Sequence, residues 1–182
     1  MTPAYRAHDD RLLDLLGEVA AVPYKNPVWR VVRDGRSPTD GSRGAGRWNP
    51  ADLSVLYCSE AADGALSEIH FHLSRGQPVF PSRIRHNLWA LDVSLGRTLR
   101  LVDFDQLERL GVEKGRYREL LYGRTQEVGA AAAFLGFDGL VSPSARYDCA
   151  NLVVFLDNAA PAAVAGIDSA PVDWRAWIAG RP

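Results

Sequence analysis

The sequence predicts an α+β fold: a mixed or antiparallel central sheet flanked by helices. Three observations point there. Segments with period-2 apolar alternation are interleaved with segments of helical period. Clean strand–helix–strand repeats are few, which argues against a doubly wound parallel sheet. The chain of 182 residues, 47% hydrophobic and 24% charged, has the size and composition of an ordinary globular domain.

Taken in order, His8 to Val22 reads as a helix. Leu12, Leu13, Leu15, Leu16, Val19 and Ala20 recur at helical spacing, Asp9 or Asp10 can start it, and Pro23 and Pro27 close the segment. Val28 to Arg33 is a short strand with Val28, Arg30 and Val32 on one face. A charge sharing a face with two valines needs a partner, either a carboxylate in a buried ion pair or the phosphate of a ligand. Asp40 to Pro50 follows, with three glycines, two arginines and Trp48 beside Asn49. It is either a surface turn or a loop gripping a phosphorylated, ring-bearing molecule, since arginine matches phosphate and tryptophan offers a flat apolar face.

Leu53 to Ser59 is a second strand, in which Tyr57 is at least half buried and Cys58 is a small core residue. Ala61 to Ser74 is a helix whose apolar face is Ala62, Ala65, Leu66, Ile69 and Leu73. Glu68 borders that face, and His72 lies one turn beyond it. Glu68 is either a solvated helix glutamate or a functional carboxylate. His70 and His72 point nearly opposite ways, so no shared metal is expected. Gln77 to Arg85 is a connection. His86 to Ser94 is a strand, and Thr98 to Val102 continues extended. Asp103 caps a short helix that Gly111 stops, and Thr125 to Leu135 is a longer helix facing inward through Val128, Ala131, Ala132 and Leu135. Gly136 to Val141 turns into a buried strand. The polar stretch Ser142 to Arg146 then separates it from an apolar strand at Asn151 to Leu156, placing Ser144 and Arg146 at a sheet end. Asp173 to Ala179 forms a last short helix with Trp174 and Trp177 packed on the domain.

A net charge of −1 gives no basic field for a polyanion, so direct nucleic-acid binding is not expected. Two cysteines, Cys58 and Cys149, make no disulfide framework. No apolar run reaches membrane length and the first residues carry no signal core, so the expected setting is cytoplasmic, without membrane attachment. The glycine-rich loop is no P-loop, because Gly-Lys-Ser/Thr is missing. Its glycine spacing does not fit a dinucleotide fingerprint. No Gly-x-Ser-x-Gly elbow makes Ser144 a hydrolase nucleophile, and paired Cys or His at zinc spacing are absent.

What remains is a cluster of Arg30, Arg47, Trp48, Tyr57, Glu68, Ser144 and Asn151 around one sheet end. Arginines for a pyrophosphate, aromatics for a ring and one carboxylate beside a sugar suit cleavage of an N-glycosidic bond, where an oxocarbenium-like cation develops. The molecule meeting that description is NAD, consumed as a substrate. An RNA-directed activity, an RNA-binding module or a non-catalytic nucleotide sensor using the same arginines is the alternative.

The order Trp29-Arg30, Gly46-Arg47-Trp48-Asn49, Tyr57, Glu68, Pro143-Ser144-Ala145-Arg146 and Asn151 resembles the RES-domain family, named for an arginine, a glutamate and a serine. The resemblance implies an ADP-ribosyltransferase-like fold over residues 28–157, preceded by an N-terminal helix and lead-in (1–27) and followed by a tail with a short helix (158–182). It implies the toxin half of a bacterial type II toxin–antitoxin pair, restrained by an Xre-type antitoxin that covers the site. The activity implied is cleavage of the nicotinamide–ribose bond of NAD, with ADP-ribose passing to a protein acceptor, phosphate or water. Arg30, Glu68 and Ser144 match the three name residues, although Arg47 is also a candidate for the arginine. Arg30, Arg47, Trp48, Asn49, Tyr57 and Asn151 are then the NAD-binding set, and no metal is implied.

Overall fold

The computed structural model describes residues 7–42, 44–76 and 83–181. Most of the Gln77–Arg85 connection lies outside the described residues, as does Arg43.

The elements run α1 (Asp10–Gly17), β1 (Val22–Arg33), β2 (Val55–Ser59), α2 (Ala62–Ser74), β3 (His86–Arg100), α3 (Phe104–Arg109), a 3-10 turn (Lys114–Arg116), α4 (Gly123–Phe134), β4 (Gly139–Pro143), β5 (Ala150–Phe155), β6 (Val164–Pro171) and α5 (Trp174–Ala179). The α+β architecture with a mixed sheet is as the sequence predicts. β3–β4 is parallel and the other pairings are antiparallel.

The strands form two halves, β1-β3-β6 and β2-β5-β4. They join at one end through β3–β4, over Thr98–Arg100 and Gly139–Val141, and at the other through Trp29 opposite Ser59 alone. Apolar side chains of the halves meet between them: Val28, Leu91, Val93 and Leu95 against Leu56, Val141, Leu152 and Val154. The outer face of β2-β5-β4 carries Val55, Leu140, Val153 and Phe155 and is covered by α1, α3 and α4 through Leu12, Leu16, Leu107, Val128, Ala131 and Ala132. α2 and α5 cover β1, with Ala65, Leu66 and Trp174 against Val31. The alternation read for β2 thus serves two cores, Val55 and Tyr57 on one side and Leu56 and Cys58 on the other.

Three expectations are corrected. α1 ends at Gly17 rather than Val22. Asp9 caps it as expected, accepting from the N–H of Arg11. β1 starts at Val22 and runs through both prolines. It can do so because before Trp29 it pairs only with β3, and Pro23 falls in the register irregularity between Val22 and Tyr24; a proline costs little where a strand has an open side or a bulge. The tail contains β6 as well as the expected α5. β6 pairs with β3 over seven positions from Asn87↔Pro171 to Val93↔Val164, so residues beyond 157 belong to the sheet. Its residues are nearly all exposed and include Gly166, Asp168 and Pro171, which hides the apolar alternation that marks a strand. The His86–Ser94 and Thr98–Val102 segments merge into β3.

Candidate active site

Beyond the Trp29–Ser59 pair, β1 and β2 have no further pairing with each other. A cleft of about 350 Å³ opens there, with Arg30 and Val31 on one wall and Tyr57 and Cys58 on the other. α2 lies across it and contributes Glu68, Ile69 and His72; Asn151 and Arg146 enter from β5 and the β4–β5 loop.

Among the described residues Glu68 is the one carboxylate lining this cleft. Its Oε1 accepts from Ser144 Oγ at 2.8 Å and from Asn151 Nδ2 at 3.1 Å. Ser144 Oγ also accepts from the N–H groups of Arg146 and Tyr147, at 3.1 and 3.2 Å. With both lone pairs used, the single hydroxyl proton points at the carboxylate. Ser144 is therefore a positioning residue for Glu68, and it does not itself line the cleft. Both donors meet the same carboxylate oxygen, which leaves Oε2 to accept from a ligand hydroxyl.

Among the described residues Arg30 has no carboxylate ion pair. Its Nη1 donates to the backbone carbonyls of Pro38 and, at 2.8 Å, Asp40. The loop after β1 thus holds the guanidinium by carbonyls rather than by a carboxylate, so the positive charge stays available at the cleft wall. Arg47 stands opposite, stacked between Tyr117 at 4.8 Å and Tyr122 at 4.7 Å and donating to the Glu119 carbonyl at 3.3 Å. Stacking on two aromatic faces fixes a planar cation at modest desolvation cost. Arg146 stacks on Phe71 at 3.4 Å. Three arginines against one carboxylate make the lining cationic.

Trp48 and Asn49 have a different role from the one their types suggested. Trp48 borders the cleft as expected, but it is 2% exposed and its side chain packs in the outer core, so the indole presents little face for a ligand ring to stack on. Asn49 is fully buried; its Nδ2 lies 3.0 Å from each of the Gly44, Pro50 and Leu53 carbonyls, and its Oδ1 accepts from Tyr57 Oη at 2.8 Å. Tyr57 Oη in turn accepts from the Trp48 N–H at 2.9 Å. Asn49 ties the loop shut, and Tyr57 lines the cleft with its ring while its hydroxyl is spent on the loop. A Cβ on Gly46 would sit 2.6 Å from Tyr57 Oη and 2.7 Å from Asn49 Oδ1, so glycine is required by close approach. Gln126 of α4 completes the anchor, donating to the Gly46 carbonyl at 2.8 Å.

Burial pushes the Cys58 thiol up to about 12, so it is protonated and unreactive at neutral pH. Burial likewise raises the Tyr57 phenol far above its ordinary range. Tyr117, pushed up to about 12 mainly by burial, donates to the Pro143 carbonyl at 2.7 Å and so braces the strand end that presents Ser144.

Arg30, Arg47, Trp48, Tyr57, Glu68 and Asn151 are brought to one cleft, with Ser144 behind Glu68 and Asn49 buried beneath the loop. Tyr117, Tyr122 and His72 complete the surroundings and were not singled out as site residues from sequence. The two tyrosines sit in a segment with no apolar period, so no pattern marked them.

The RES domain family model matches residues 27–177. The chain belongs to the RES-domain family. The match runs past Asp157 and takes in β6 and most of α5, in keeping with their place in the sheet and core of this RES domain. A search of curated proteins finds no significant match. Among solved structures, the RES domain is similar to a chain of the crystal structure of the M. tuberculosis MbcT–MbcA toxin–antitoxin complex. The TM-score is 0.80 at 21% sequence identity, over 91% of this chain and 94% of that one. The fold is therefore shared with that structure. No helix among the described residues is long and apolar enough to cross a membrane.

Proposed function

We propose that this RES-domain protein binds NAD and breaks its nicotinamide–ribose bond, and that it serves as the toxin of a toxin–antitoxin pair. The observation that carries the reading is the Glu68 carboxylate, fixed by Ser144 and Asn151 at the wall of a cleft with three arginines. Glu68 would accept a hydrogen bond from a ribose hydroxyl through Oε2. Its negative charge would stabilise the ribosyl cation as nicotinamide leaves with the bonding electron pair. Arg30 and Arg47 would hold the pyrophosphate, each preorganised by protein contacts and so costing little ordering on binding. The ring of Tyr57 would flank the nicotinamide riboside, whose size suits a cavity of this volume. ADP-ribose would then pass to water, phosphate or a protein side chain.

The toxin role is supported by the family and by the toxin–antitoxin complex whose fold the chain shares. An Xre-type antitoxin covering the cleft would silence the activity by excluding NAD. A direct test incubates the purified protein with NAD and, separately, with RNA, and follows free nicotinamide and RNA length. Nicotinamide with intact RNA is the expected result. Intact NAD beside cut RNA would replace this reading with the RNA-directed one.

A further inference from the structure

His72 is a cleft residue that the proposed cleavage step leaves without a role. It lies one helical turn after Glu68 on α2 and lines the same cleft, and the residue as a whole is exposed. The neighbouring Phe71 ring, 5.4 Å away, carries the stacked Arg146 guanidinium. The charged groups that act on it are Glu68 and Arg75 from its own helix, Arg146 from the β4–β5 loop and Arg47 from the β1–β2 loop. Partial desolvation and the three arginines outweigh Glu68 and lower the imidazole pKa, so the ring is neutral at physiological pH. Among the described residues no hydrogen bond engages its nitrogens.

Three other titratable groups lining the cleft are committed. Glu68 is bonded to Ser144 and Asn151 and is needed at the ribose. Cys58 keeps its proton, and the Tyr57 hydroxyl is used within the loop. A hydroxyl acceptor must lose a proton as it attacks, and the ribosyl cation supplies no base of its own.

We propose that His72 is the general base for the acceptor, and that the acceptor is therefore a neutral hydroxyl, water in the simplest case, rather than an already ionised phosphate. This rests on the NAD-cleaving reading above. In the step, the C–N bond to nicotinamide breaks with its electron pair going to the ring nitrogen. The acceptor oxygen bonds to the anomeric carbon, and its proton passes to His72 and then to solvent.

The test uses the full chain and His72→Asn, matched by circular dichroism. Three quantities are read: ADP-ribose formation from about pH 5 to 8, exchange of labelled nicotinamide back into NAD, and the His72 titration in the ligand-free protein by NMR. Exchange needs bond cleavage but no acceptor. His72→Asn should therefore keep exchange while losing about 100-fold in product, and it should lose the wild type's fall in activity at acid pH. The NMR titration should place the imidazole below its ordinary value. Product and exchange falling in proportion, an unchanged pH profile, or wild-type product that forms only with added phosphate would each overturn the role of His72. A wild type that releases no nicotinamide at all would instead overturn the underlying cleavage reading, and the His72 proposal with it.

Discussion

Gly129→Ala should destabilise this protein, although helix propensity alone argues the reverse. In the middle of a helix, Gly→Ala stabilises by about 0.5–1 kcal/mol. Gly129 sits inside α4, and a Cβ there would lie 1.8 Å from the Trp48 carbonyl oxygen and 2.8 Å from its carbonyl carbon. These are backbone atoms, so no rotamer change relieves the overlap. Helix and loop must part by about 1.2 Å before the contact reaches even the tightest observed separation. An overlap with fixed backbone puts this case at the upper end of the about 1–3 kcal/mol that overpacking costs, so the net loss should be about 2 kcal/mol once propensity is subtracted. For a chain of this size that is a fall in Tm of about 4–8 °C. Gly123→Ala is the internal control. It lies at the start of the same helix with open space around its Cβ, and it should leave Tm unchanged or slightly raised. Thermal and urea unfolding of both variants give the comparison. Because the displaced segment carries Arg47, Trp48 and Asn49, Gly129→Ala should also weaken NAD binding in whatever protein remains folded. A Gly129→Ala protein as stable as wild type would refute the close packing of α4 on the site loop.

Three further outcomes follow from the same geometry. Asn49→Ala strips the acceptor from Tyr57 Oη and the donors from three loop carbonyls, which should cost about 3 kcal/mol in urea unfolding. An unchanged midpoint would mean that Asn49 does not hold the loop. Ser144→Ala removes the proton aimed at Glu68 but no group that would touch NAD, so steady-state kinetics should show kcat reduced by about 10-fold with KM little changed; a variant defective only in KM would contradict a positioning role. Burial lowers the His86 pKa, and its Nδ1 accepts from Trp174 Nε1 at 3.2 Å, so the native state favours the neutral ring. The unfolded chain takes up a proton first as pH falls below about 6.5. Stability should therefore drop through the interval between that value and the folded pKa, then level off. His86→Asn, which keeps an acceptor for the indole, should show a shallower dependence of Tm on pH, and an equal slope would assign the effect to other groups.

Much of the fold and part of the site could be read from sequence, and the misreadings have physical causes. Glu68, Arg30 and Tyr57 lie on segments with strong period, so their faces could be assigned before any coordinates. Ser144 and Asn151 flank a polar break between two buried strands, which fixes them at a sheet end. Trp48 and Asn49 misled because the residue types that grip a ligand also close a loop on itself. Only the burial of the indole and the three carbonyls around Asn49 tell the cases apart. β6 escaped notice because an exposed strand has no apolar alternation to display, and the first half of β1 because prolines signal an end unless one side of the strand is open. The Arg47–Tyr117–Tyr122 stack joins residues about seventy positions apart across an aperiodic segment, which only the folded chain reveals.

The most direct test of the central claim is nicotinamide release from NAD by wild type and Glu68→Gln. Glutamine keeps an oxygen that can accept from Ser144 and Asn151, so the local fold should persist while the negative charge is lost. Wild type should release nicotinamide, and a Glu68→Gln protein of matching Tm should release it at least about 100-fold more slowly, as expected when electrostatic stabilisation of the transition state is removed. Equal release by the two proteins would contradict the account.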